Sequence, residues 1–141
     1  MDKQQLINNL KNNTYCKLGR SDIDGIGVFA IRMIPKNINP FLLSNNYSKQ
    51  YTVVDISKED LKEVPKSVVK LLDSYFLTDE NEGHPVISMG LNDMDISFYL
   101  NHSDTPNVES VFPKEAINEL LEFRTMKKIK SGEELLLDYN R

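Results

Sequence analysis

Asn101-His102-Ser103-Asp104-Thr105-Pro106-Asn107 gathers amide, imidazole, hydroxyl and carboxylate side chains into seven residues. Such side chains bond their own backbone, and Pro106 pushes Thr105 away from helical angles, so an irregular, self-bonded turn is expected. The preceding Ser97-Phe98-Tyr99-Leu100 looks buried, and a buried turn must account for every backbone donor and acceptor. Read alone, the stretch is equally a surface loop with Asx-type turns. His102 is its natural candidate for a general base.

Two further stretches stand out. Gly132-Glu133-Glu134-Leu135-Leu136-Leu137-Asp138-Tyr139 offers three carboxylates of the kind used in acid–base chemistry, and a tyrosine. An unperturbed phenol is protonated at neutral pH, so Tyr139 is fitted to orient a group and not to act as a base. Gly25-Ile26-Gly27 leads into Val28-Phe29-Ala30. Glycine there lets backbone approach a ligand or take positive φ. With no third glycine and no helix start following, it is not the dinucleotide fingerprint, and alone it reads as a hairpin turn.

The remaining reactive side chains give less. Cys16 is the only cysteine and His84 and His102 the only histidines. That excludes an internal disulfide and a cysteine-rich zinc cluster, and it fits a reducing interior, nucleus or cytoplasm. Cys16 reads as a small apolar residue on a strand. His84, in a polar loop before Pro85, reads as solvent-exposed.

The elements that must position these residues fit one domain of 141 residues with 40% hydrophobic and 27% charged content. A net charge of −4 argues against nucleic acid and favours a basic partner. No apolar run approaches a membrane span, and the N-terminus lacks the apolar core of a signal peptide.

In order, residues 1–13 place Leu6, Ile7 and Leu10 at helical spacing, and residues 14–18 read as a strand. Residues 28–31 form an apolar strand-like run, 34–37 a turn, 39–43 the entry to another short strand, and 47–54 a further strand. Ser57-Lys58-Glu59-Asp60 matches a capping box. After Pro65, residues Val68, Val69, Leu71, Leu72, Tyr75 and Phe76 make a convincing amphipathic helix. Residues 86–88 and 108–112 read as strands, and 113–118 as turn or a single helical turn. Residues 119–126 have the propensity of a helix, yet Leu121, Phe123 and Thr125 alternate with charged neighbours and favour a strand, and 135–137 form a last buried one. The expected fold class is α+β, mostly β.

Taken together and in this order, the three motifs resemble the SET-domain family of protein-lysine methyltransferases over about residues 14–139. The resemblance implies a fold of small curved β-sheets with a C-terminal pseudoknot (97–139), an N-terminal flank (1–13) and an inserted helical segment (about 55–80) within a single domain. It implies S-adenosyl-L-methionine as methyl donor and a lysine ε-amine as acceptor, without metal. Histone tails are the favoured substrate, since the family most often methylates them. Gly25, Ile26 and Gly27 would lay backbone against the donor. Asn101 and His102 would hold it, Tyr99 would pack beneath it, and Tyr139 would stand beside the transferring methyl as the catalytic tyrosine. In this setting Glu133, Glu134 and Asp138 are expected to be structural, and His102 a scaffold and donor contact.

Three departures shape the expectation. Asp104 stands where many relatives carry a zinc-binding cysteine, and Phe98 where many carry an arginine near the donor's carboxylate. Only Asn140 and Arg141 follow Tyr139, where relatives usually continue and wall the lysine channel. Either a second copy completes the site as a homodimer, or the N-terminal residues cover it, or the chain is cut short, or activity is weak or absent. The alternative function is therefore an inactive SET-like module that binds a peptide or partner. Tyr47 and Tyr51 read as packing residues and not as channel walls.

Overall fold

The computed structural model describes residues 2–43, 53–76, 78–88, 90–111 and 122–140. The alternating segment Cys16–Arg20 (β1) pairs antiparallel with the glycine-led Ile26–Ala30 (β2), with Cys16 opposite Ala30 and Arg20 opposite Ile26. Ahead of them Lys3–Asn12 forms α1, headed by Asp2, whose carboxylate accepts from Gln4 N at 2.9 Å. Its buried face is empty: none of its residues is fully buried.

The last strand, Glu134–Leu137 (β8), is the axis of the larger sheet. Antiparallel to β2, it sets Val28 opposite Leu135. Parallel to it run Asn101–His102 (β5) and Val108–Val111 (β6), and Glu122–Thr125 (β7) closes the sheet against β6. Successive carbonyls of an extended strand point to opposite edges. Leu137 O accepts from Ser103 N and Leu136 O from Asn107 N, so residues 101–103 and 107–108 lie on opposite edges of β8. The short turn between them therefore crosses from one side of this strand to the other.

Val28, Ala30, Ile34, Leu100, Val108, Ile129 and Leu135 form the core of this assembly. Phe41 meets Phe123 edge-on at 5.8 Å. Thr125, buried, donates from its hydroxyl to Pro35 O at 2.7 Å and accepts from Ile38 N at 3.1 Å, satisfying its polar atom.

The chain divides into two compact units, one of residues 1–49, 95–116 and 120–141, the other of 50–94 and 117–119. In the second, Val53–Ile56 (β3) pairs antiparallel with His84–Ile87 (β4). Ser57 and Asp60 form a reciprocal capping box, Ser57 N to Asp60 Oδ2 at 3.0 Å and Asp60 N to Ser57 Oγ at 3.1 Å. It heads a 3₁₀ turn, Asp60–Glu63; the helix Lys66–Tyr75 (α2) starts separately behind Pro65, a residue suited to a helix start.

The architecture is α+β and mostly β. Two expectations are corrected. Residues 39–43 hold no strand: 40–41 turn, where Asn39 Oδ1 accepts from Phe41 N at 2.9 Å. His84 is 1% exposed instead of solvent-facing: it opens β4, paired with β3, and its Nε2 lies 2.9 Å from Asp73 Oδ1 on α2. Residues 47–52, 112–118 and 121, with Tyr47 and Tyr51, lie outside the described residues. Among the described residues no helix is long and apolar enough to cross a membrane.

Candidate active site

The three motifs meet at the start of β8. Asn101, only 8% exposed, sits on β5 with its amide turned toward the glycine strand. Its Nδ2 donates to Asp24 O and Ile26 O, each at 3.2 Å, and to Glu134 Oε2 at 2.9 Å. Glu134 also accepts from Ser21 Oγ at 2.9 Å on both oxygens, and Ser21 Oγ in turn accepts from Ile23 N. The loop between β1 and β2 is thus held by side chains from both other motifs.

The glycines serve different ends here. Gly25 has φ +41°, and a Cβ there would meet nothing within 4 Å, so its backbone borders open space. At Gly27 a Cβ would stand 2.2 Å from Glu134 Oε2 and 3.1 Å from Asn101 Nδ2. Gly27 is glycine because the carboxylate and amide occupy that space. Between them Ile26 is 52% exposed.

His102 and Tyr139 form the second half. Tyr139 N donates to His102 Nδ1 at 3.1 Å, so the imidazole proton belongs on Nε2, which reaches Asp104 Oδ1 at 3.2 Å. Asp138 Oδ1 lies 3.8 Å from the same Nδ1, and its carboxylate also caps Asn140 N at 2.9 Å. The two rings stand 5.2 Å apart, tilted by 53°. Tyr139 donates its hydroxyl proton to Leu100 O while the residue remains 50% exposed. Burial of the phenol, then the charges of Asp24 and Glu134, hold its pKa above the usual tyrosine value. The turn itself is self-bonded, with Thr105 N donating to Ser103 Oγ at 3.0 Å.

Ile26, flanked by Gly25 and Gly27, thus shares one hydrogen-bonded group with Asn101 and Glu134, while His102 and Tyr139 form a second with the Leu100 carbonyl, and the two groups adjoin through the consecutive residues Leu100, Asn101 and His102. Tyr99 ends a 3₁₀ turn, Ile96–Tyr99, that packs against β1 and β2 and leans on the core. Ser21, Asp24 and the Leu100 carbonyl belong to the site and were not legible in the sequence, since their partners lie far along the chain. The one local signal was Ser21 two residues before Ile23, the spacing of a hydroxyl-capped turn. Glu133 is spent on the 130–133 turn, accepting from Lys130 N at 3.2 Å. Among the described residues no group of three or more metal-ligating side chains is gathered.

The SET domain family profile matches residues 25–140. The chain belongs to the SET-domain family. This SET domain is similar in structure to a Plasmodium falciparum protein named as a candidate histone methyltransferase, with TM-score 0.53 and 21% identity, covering 89% of this chain and 93% of that one. It is also similar to a humanized mutant of Chaetomium thermophilum Polycomb Repressive Complex 2 bound to an inhibitor, with TM-score 0.56 and 23% identity. There the match covers 89% of this chain and 15% of the other. At these identities the likeness is one of fold. No curated protein matches the sequence significantly.

Proposed function

We propose that this SET domain transfers a methyl group from S-adenosyl-L-methionine to a lysine ε-amine of a protein, with a histone tail as the favoured acceptor and the nucleus or cytoplasm as its place of action. The observation that carries the reading is that Asn101 bonds the Ile26 carbonyl between the two glycines while its chain neighbour His102 accepts from Tyr139 N, so that the three motifs converge on two adjacent residues. The name of one similar structure, a histone methyltransferase candidate, supports the acceptor class.

The residues present fit such a donor. The Gly25 backbone borders open space and Tyr139 is half exposed, so both are accessible to a cationic ligand. When bound, the donor supplies an electrophilic methyl on a sulfonium. The protein's task is to aim a neutral amine at it. A lysine of pKa near 10.4 loses its proton at neutral pH at a cost of about 4–5 kcal/mol. Apolar walls reduce that cost by disfavouring the ammonium, and alignment supplies much of the rate. Tyr139, with its proton committed to Leu100 O, keeps its oxygen lone pairs for the polarised methyl or the incoming amine. Its raised pKa keeps it neutral through this step.

The test is calorimetry with S-adenosylhomocysteine together with labelled-methyl transfer from S-adenosylmethionine to histones and lysine peptides. Donor binding with transfer supports the enzyme. Donor binding without transfer to any lysine substrate favours the peptide-binding module. No binding of either ligand sinks the reading.

A further inference from the structure

Glu134 sits where two sets of hydrogen bonds end. Asn101, which reaches Asp24 O and Ile26 O, and Ser21, which takes Ile23 N, both donate to its carboxylate. One side chain of β8 thereby holds both the 21–23 turn and the start of β2. The fit is tight, since the space beside Gly27 is filled by this carboxylate. A carboxylate is dispensable for tying backbone together, where a neutral acceptor would serve. Its charge matters if the ligand alongside changes charge during the reaction. Methyl transfer does so: the amine lone pair forms the new N–C bond as the C–S bond breaks, the donor becomes a neutral thioether, and the positive charge passes to the methylated ammonium, which then releases a proton to solvent.

We infer that Glu134 is a positioning residue whose carboxylate fixes the 21–27 segment for the donor and whose charge favours the cationic donor over its neutral product. This rests on the methyl-transfer reading above. Glu134 lies close enough to Tyr139 for its charge to be felt at the phenol, and Asp24 adds to the same field. A negative potential strengthens binding of a nearby cation and leaves a neutral thioether nearly unaffected. Product would then leave more readily than substrate.

Two variants separate the roles, each measured by calorimetry against S-adenosylmethionine and S-adenosylhomocysteine, with thermal melting as control. Ser21→Ala removes the hydroxyl donor and keeps the charge. It is expected to weaken both ligands alike, by roughly fivefold, leaving their ratio unchanged. Glu134→Gln keeps one acceptor and loses the charge. It is expected to weaken S-adenosylmethionine by roughly thirtyfold and the homocysteine by roughly fivefold, so that the ratio narrows. An equal loss for both ligands in Glu134→Gln overturns the charge role. Unchanged binding of both ligands in that variant overturns the positioning role. If Glu134→Gln melts below the assay temperature, Glu134→Asp replaces it: a preserved ratio with weaker binding supports the inference, and a narrowed ratio overturns it. Wild-type protein that binds neither ligand overturns the methyl-transfer reading itself, a result distinct from all of these.

Discussion

Tyr139 carries the most at the scale of single residues. Its hydroxyl gives its proton to Leu100 O, and Leu100 is 3% exposed, so Tyr139→Phe leaves one buried carbonyl short of a partner. That loss costs about 1–3 kcal/mol of stability, which an otherwise intact core tolerates. Transfer is expected to fall by roughly a hundredfold or more, because the oriented oxygen is what the variant removes; labelled-methyl assays beside a melting curve check it, and wild-type turnover would remove Tyr139 from the chemistry. The phenol's pH behaviour follows from the causes of its shift. Burial and the charges of Asp24 and Glu134 raise the native pKa, so the folded chain holds this proton more tightly than the unfolded chain. Its contribution to stability is present in full below about pH 10, the unfolded value, and is lost as pH rises through the native one. The transfer rate should accordingly climb with pH as lysine deprotonates, without a drop from Tyr139 until past the ordinary phenol range. A difference titration of wild type against Tyr139→Phe, followed by phenolate absorbance, locates that ionisation; a midpoint at or below the ordinary value contradicts it.

At the scale of elements, the β1–β2 loop decides whether the site forms. Gly27→Ala must displace Glu134 or Asn101, both within 3.1 Å of the new carbon. Overpacking of this kind costs about 1–3 kcal/mol, and donor affinity should fall with it. Gly25→Ala meets no atom and costs only about 1 kcal/mol, through its left-handed backbone. Melting and calorimetry on the pair rank them; a milder Gly27→Ala than Gly25→Ala would mean that the carboxylate does not fill that space. These elements also show what the sequence could reveal. The alternation of Leu121, Phe123 and Thr125 is local and marks β7; the helical spacing of residues 68–76 likewise marks α2. The motifs were legible as motifs, because turn chemistry is written in consecutive residues. Their joining was not. Ser21 and Glu134 are separated by 113 positions, and no periodicity reports a hydrogen bond between them. His84 misled for the same reason: a polar loop precedes it, but the strand it pairs with, β3, and its side-chain partner Asp73 both come from earlier in the chain. Residues 39–43 misled differently, since a single Asn39 side chain overrode the strand propensity of Phe41-Leu42-Leu43.

For the whole molecule, the division into two compact units makes a claim about cooperativity. Each has its own buried residues, Leu135 in the larger and Leu72 in the smaller, and units with separate cores can open with separate free energies. Cys16 reports on the larger one. It lies on β1, and burial pushes its thiol up to about 12, so the native chain keeps it protonated and slow to alkylate at pH 8. The native state holds that proton more tightly than the unfolded chain, and the associated stability persists below the ordinary thiol value and is lost as pH approaches 12. Cys16 is half-buried in the native chain, so labelling at pH 8 reports opening as an acceleration over the wild-type rate. Leu135→Ala, at a fully buried core position on β8 opposite Val28 of β2, should cost about 2–5 kcal/mol and speed Cys16 alkylation by roughly thirtyfold or more, since each 1.4 kcal/mol is a factor of ten. Leu72→Ala opens the smaller core and should change Cys16 labelling by no more than about threefold if the two units open separately. Alkylation followed by mass spectrometry distinguishes the cases, and an equal acceleration by both substitutions would show one cooperative core in place of two.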